Sequence, residues 1–127
     1  MPITTLYLPK PISVNSMFGQ SPGHKRYKSS AYKKWIKEAT AMLREQNPHS
    51  YGGEVEIIIT LKDAGRTDCD NRAKGILDLL VSEGIIVDDS REYLRLLVLQ
   101  FGDVDGCKVV VAEYGEFPLV IYTGEIE

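Results

Sequence analysis

The chain has 127 residues and a formal net charge of −3, with 43% apolar and 26% charged residues. That size and mix suit one globular domain with its own core and exclude a disordered chain. Two cysteines, Cys69 and Cys107, make no disulfide framework and no zinc-ligand spacing.

"ITTLYLP" alternates and reads as a first strand, closed by Pro9 and Pro11. Residues 9–28 are rich in Pro, Gly, Ser and Asn and read as a long functional loop. Ser29 or Ser30 caps a helix that carries Tyr32, Trp35, Ile36, Ala39 and Leu43 on one stripe and runs to about Gln46. Trp35 belongs to that buried stripe rather than to a ligand site. Pro48 and the Gly52-Gly53 pair then turn the chain. "EVEIIITLK" is a strand with Val55, Ile57, Ile59 and Leu61 on one face.

A second helix is expected from about Cys69 or Asp70 to Glu83, burying Ala73, Ile76, Leu77, Leu80 and Val81 and ending at Gly84. "IIVDDS" reads as a short extended piece running into an acidic turn. "YLRLLVLQF" and "CKVVVAEY" read as strands joined by "GDVDG" in an antiparallel hairpin, and "FPLVIYT" as a last strand or arm. The order β-α-β-α-β-β describes one sheet with two main helices, of the α+β or mixed α/β class, in a single domain over residues 1–127. No apolar run is long enough to span a bilayer, and the N-terminus lacks signal-peptide regions. The expected location is cytoplasmic, with no membrane partner.

The charge is unevenly spread. Residues 1–37 hold seven Lys/Arg and no acid, whereas the remainder holds eight Lys/Arg against all 18 acids. Lys25, Arg26 and Lys28 share the 9–28 loop with Phe18, His24 and Tyr27. Basic groups neutralise phosphates and aromatic rings stack on bases, so this loop is a candidate nucleic-acid surface. The bland alternative is a mobile loop beside a solvated helix face.

"RTDCDNRAKGILDLL" carries Asp68 and Asp70 at a strand-to-helix junction. Two carboxylates held close repel each other and invite a cation, and an all-oxygen site suits magnesium or manganese. Lys74 lies one turn beyond Asp70 on the same helical face. Alone, the motif also reads as a helix cap with an ordinary ion pair. Asp88 and Asp89 form a second acidic pair, and an extended run over 84–89 has the reach to return toward Asp68. Their bland alternative is a solvent-facing turn.

The pattern Asp68-x-Asp70-Asn71-x-x-Lys74, an amphipathic helix, Gly84 and then Asp88-Asp89 resembles the RusA family of endodeoxyribonucleases, which resolve four-way (Holliday) DNA junctions. "LPKPISVN" and the basic loop after it are also similar, and the resemblance covers roughly residues 4–114. It implies an α+β fold with a single mixed sheet, a homodimer with two symmetry-related sites, and magnesium dependence with manganese as a substitute. Asp68, Asp70 and Asp89 fall on the family's metal-binding catalytic carboxylates, and Lys74 on its essential lysine. Asn15, Lys25, Arg26, Lys28, Arg66 and Asn71 are the expected DNA contacts, Asn71 in a supporting role. Asp88 is a ligand, a supporting group or neither.

The chain departs from the family where a run of arginines precedes the first aspartate, because "AGRTD" offers only Arg66. Residues 115–127 form a possible C-terminal extension. Two rivals stand beside the nuclease: a magnesium-dependent phosphotransferase acting on nucleotides, which lacks a glycine-rich phosphate loop here, and a catalytically idle DNA-binding subunit of the same fold.

Overall fold

A computed structural model describes residues 3–20, 26–63 and 70–115. Four strands build the main sheet: β1 (Ile3–Leu8), β4 (Val55–Lys62), β5 (Leu94–Gly102) and β6 (Cys107–Glu113), in the order β1-β6-β4-β5. The sheet is mixed, since β4 pairs parallel with β5 and antiparallel with β6, and β6 pairs antiparallel with β1. Two helices, α2 (Ser30–Glu45) and α3 (Asp70–Ser82), share one core with its first face. The fold is therefore α+β, as the residue pattern implies.

β4 is the most buried strand, with side chains covered on both its faces. Val55, Ile57, Ile59 and Leu61 meet the helices, whereas Ile58 packs with Val110 and Ala112 on the second face. This explains why the expected β5–β6 hairpin does not form. The two strands flank β4 instead, so that the strand with most to bury has a partner on each edge. The helical connection through α3 is what allows β5 to run parallel to β4. Glu56, fully buried on the second face, accepts the Gly115 N–H at 2.7 Å and fixes the exit from β6.

The segment read as one long loop contains more order than composition suggests. A single turn, α1 (Val14–Met17), is followed by two short strands, β2 (Phe18–Gln20) and β3 (Arg26–Lys28), which pair antiparallel. The Tyr27 ring lies over Gly19 in this ribbon: a Cβ there would stand 2.5 Å from it, so any other residue displaces the ring.

Ser29 caps α2 by accepting the Tyr32 N–H at 3.1 Å, and its own hydroxyl donates to Ser16 O at 2.6 Å. Tyr32, Trp35, Ala39 and Leu43 are buried, and the Trp35 indole N–H donates to Pro9 O at 3.2 Å. α3 ends in a Schellman motif: Ile85 N–H bonds Leu80 O, Gly84 N–H bonds Val81 O, and Gly84 has φ 73°. Leu80 and Ile85 are both buried, supplying the apolar contact of that motif. No helix among the described residues is long and apolar enough to cross a membrane. The strand or arm expected at "FPLVIYT" lies outside the described residues.

Candidate active site and nucleic-acid surface

α3 starts at the end of the sheet where β4 finishes. Arg72, in its first turn, donates to Pro11 O at 2.9 Å. Pro11 follows β1, whose last residue, Leu8, stands beside Cys107, itself beside Leu61 of β4. Asp70 opens the helix at this end. Lys74 is exposed one turn on, and its Nζ lies 3.4 Å from Oδ2 of Asp78, a further turn along. Asn71 is half-buried. Asp68, Arg66 and Cys69 lie outside the described residues.

The second acidic pair is at the opposite end. Residues 84–89 do not run back along the helix as an extended chain. Ile85 and Ile86 fold onto Leu80 O, and Ile85 O accepts the Tyr51 N–H at 2.8 Å. Ser90 O accepts the N–H groups of Tyr93 and Leu94, and Tyr93 O accepts that of Val55. Asp88, half-buried, and Asp89, exposed, are thereby held where β4 and β5 begin. The 13 residues of α3 separate Asp70 from that edge by about 18 Å, at ~1.5 Å per residue. Among the described residues of one chain, no group of three or more His, Cys, Asp or Glu comes together to hold a metal.

The basic ribbon lies beside the middle of α3. The Arg26 guanidinium stacks 4.3 Å from the Phe18 ring centroid, and the Lys28 ammonium stands 5.9 Å from that of Tyr32. Tyr27 is half exposed, and Asn15 is exposed on α1. Lys28 and Asp78 line one cleft, so the ribbon and the Lys74 helix form a continuous surface. Lys25 lies outside the described residues. Burial pushes the Tyr32 phenol above its ordinary pKa, and the nearby Asp78 charge adds to the rise.

Cys107 is buried with Sγ 3.8 Å from Pro9 O, and burial pushes its thiol up to about 12. It is a packing residue, not a nucleophile. Asp78 and Arg72 are the site neighbours that residue reading missed. Asp78 had a signal, since it stands four residues after Lys74 just as Asp70 stands four before. Arg72 had none, because its partner is a backbone carbonyl distant in sequence.

A search among curated proteins finds no match. A family model described as "Endodeoxyribonuclease RusA" matches residues 9–111, which include the ribbon, Asp68, Asp70, Lys74 and Asp89. With most of its length matched, from the segment before α1 to the middle of β6, the chain belongs to the RusA family of endodeoxyribonucleases.

Proposed function

We infer that the chain is a magnesium-dependent, structure-specific endonuclease that resolves four-way DNA junctions by paired phosphodiester hydrolysis and acts as a homodimer. The observation that carries this reading is the first half of α3. Asp70 and Lys74 stand there on successive turns, and further along the same helix Asp78 shares a cleft with Lys28 of the ribbon, in a chain of this family.

Asp68, Asp70 and Asp89 would hold the metal ion, and Mn2+ would substitute for Mg2+. Carboxylate oxygens are the hard donors that either ion takes. When bound, the ion supplies Lewis acidity to a phosphoryl oxygen and lowers the pKa of a water. The chain's own groups do the rest. Lys74 offers its ammonium to charge developing on the phosphate oxygens. An aspartate carboxylate accepts the proton of the attacking water. Asn15, Lys25, Arg26, Lys28, Arg66 and Asn71 fix phosphate position without reading sequence.

The distance across α3 also argues for two copies. In one chain Asp89 and Asp70 sit at opposite ends of the sheet, so a site using both draws them from different chains. The open edge strand offers the contact. β5 has no described partner on its outer side, its Leu94, Leu96, Leu97, Val98 and Leu99 are half-buried, and Phe101 is exposed. Such an edge is a template for pairing. Two β5 strands meeting antiparallel about a two-fold axis bring the start of one beside the end of the other. Asp89 of one copy then approaches Asp70 of the second, and two equivalent sites result.

Mixed dimers test this directly. Asp70→Asn and Asp89→Asn should each abolish cleavage as pure proteins while junction binding persists. Co-refolded mixtures should regain nicking of one strand, because one of the two sites then has both wild-type acids. Pure variants that still resolve junctions would overturn the site. Inactive pure variants with inactive mixtures would leave the carboxylates but remove the shared-site arrangement.

A further inference from the structure

Five arginines fall among the described residues, and four of them are committed. Arg26 stacks on Phe18, Arg44 holds Glu83, Arg72 reaches Pro11 O, and Arg95 stands 3.4 Å from a Glu54 carboxylate oxygen and over the Tyr114 ring. Arg91 is exposed and has no ion pair, hydrogen bond or ring contact among the described residues. It stands two residues after Asp89, in the turn where Ser90 O accepts the N–H groups of Tyr93 and Leu94. An open groove of about 370 Å³ follows this turn, lined by Arg91, Glu92, Leu94 and Arg95.

We propose that Arg91 is a positioning residue for the DNA backbone, binding the phosphate next to the scissile one at the site that its own Asp89 completes. The inference rests on the shared-site nuclease reading above and deepens it. At most about 7 Å of chain separates Asp89 from Arg91, so a site that receives Asp89 has the guanidinium within side-chain reach. Electrostatics gives it a role there. Asp68, Asp70, Asp89 and a phosphodiester bring more negative charge than Lys74 and one divalent ion offset, and like charges held together destabilise one another. A guanidinium stays charged at any working pH and meets two phosphate oxygens with parallel N–H donors. Glu92, on the same groove, weakens its hold on a free anion, so the ligand is a phosphate delivered by bound DNA. Arg91 precedes β5 and lies outside the strand edge that two copies would pair. The ribbon and Lys74 then come from one copy and Arg91 from the other, and the cut strand is held by both.

The test compares full-length wild type with Arg91→Ala, Arg91→Lys and Arg95→Ala. Junction binding is measured in EDTA across a salt series. Losing one phosphate contact per copy should lower the slope of log affinity against log salt by about 2, at ~0.9 per contact. Arg91→Lys keeps the charge and should restore the slope. Arg95→Ala, whose charge is already answered by Glu54, should stay within about 0.5 of the wild-type slope. Single-turnover cleavage at saturating protein should fall about tenfold in Arg91→Ala, because complete binding does not correct a misplaced phosphate. Urea midpoints of Arg91→Ala and wild type should coincide. An unchanged slope in Arg91→Ala, an equal change in Arg95→Ala, or a lowered urea midpoint overturns the proposal.

Mixed dimers locate the contact. In a mixture of Asp70→Asn and Asp89→Asn chains, the working site takes its Asp89 from the Asp70→Asn chain. Arg91→Ala added to that chain should slow nicking at saturating protein, and the same change on the Asp89→Asn chain should not. Equal loss from either chain, or the reverse pattern, overturns the assignment of Arg91 to the site of its own Asp89. Failure of the nuclease reading looks different. A reduced salt slope in Arg91→Ala without cleavage by any of the proteins leaves the phosphate contact standing and removes the hydrolytic role. Cleavage with an unchanged slope removes Arg91 alone.

Discussion

Lys74 and Asp78 stand one turn apart on α3, with the ammonium 3.4 Å from the carboxylate. Lys74 therefore has an acid one turn away on each side, Asp70 before it and Asp78 after it. The partner at 3.4 Å draws the ammonium toward the C-terminal side of its own turn. A pair this open to solvent, with side chains 52% and 39% exposed, adds only about 0.3–0.5 kcal/mol to stability. Its consequence is positional.

That separation of roles predicts the behaviour of Lys74→Ala. Loss of a charge-stabilising donor should slow junction cleavage by about 10²–10³-fold. Unfolding free energy should change by less than about 0.5 kcal/mol. Single-turnover cleavage and urea unfolding measure the two quantities on the same sample. Cleavage within a few-fold of wild type would remove Lys74 from the reaction. A large stability loss would make it a structural residue.

Two glycines on one helix should respond in opposite senses. Gly84 has φ 73° with nothing near its missing Cβ, so Gly84→Ala pays only left-handed backbone strain, about 1–2 kcal/mol. Gly75 lies inside α3, and a Cβ there would meet Trp35 and Tyr32 at 3.7 Å, an ordinary contact. Gly75→Ala should therefore stabilise by about 0.5–1 kcal/mol through helix propensity. Paired urea titrations decide it, and two shifts of the same sign would contradict this account of the Schellman end.

The helices were legible because their signals are local. Ser29, the Tyr32–Leu43 stripe, Gly84 and the core stripe of α3 all obey short-range rules. Strand pairing was not legible. "YLRLLVLQF" and "CKVVVAEY" satisfy hairpin rules, and only the two-sided burial of β4 decides that they flank it. The site divides in the same way. Asp70 and Lys74 share a helix, so their spacing placed them. Asp89 depends on how residues 84–93 turn, and backbone bonds to Leu80, Tyr51 and Val55 govern that turn. The ribbon in the basic loop was hidden because three-residue strands leave no periodicity to read.

Ser29 couples two elements of that surface. Its Oγ accepts from Tyr32 N–H and donates to Ser16 O, while its own N–H donates to Met17 O. Ser29→Ala removes the cap and the link to α1 together. The expected cost lies toward the upper end of the range for a cap, about 1–2 kcal/mol. Because α1 leads into the ribbon, junction affinity should fall with it, and restoration by Ser29→Thr would show that the hydroxyl is responsible. Stability unchanged in Ser29→Ala would mean that water replaces both bonds.

The link between α2 and α3 predicts a pH dependence. Arg44 donates to both carboxylate oxygens of Glu83, at 2.7 and 3.1 Å. That hydrogen bonding, with the charge attraction beside it and against the opposing effect of burial, holds Glu83 below its usual value of 4.5. The same contact raises Arg44, which stays charged throughout. A carboxylate depressed in the folded state binds fewer protons there than in the unfolded chain. Its contribution is therefore full above about 4.5 and is lost as pH falls through the lowered folded value. Arg44→Ala removes that contribution. The stability difference between wild type and Arg44→Ala should be constant near neutrality and shrink in acid below that value. Urea unfolding of both proteins across that range checks the sign. A difference that stays constant on acidification would mean that Arg44 acts through packing on α2 and not through Glu83.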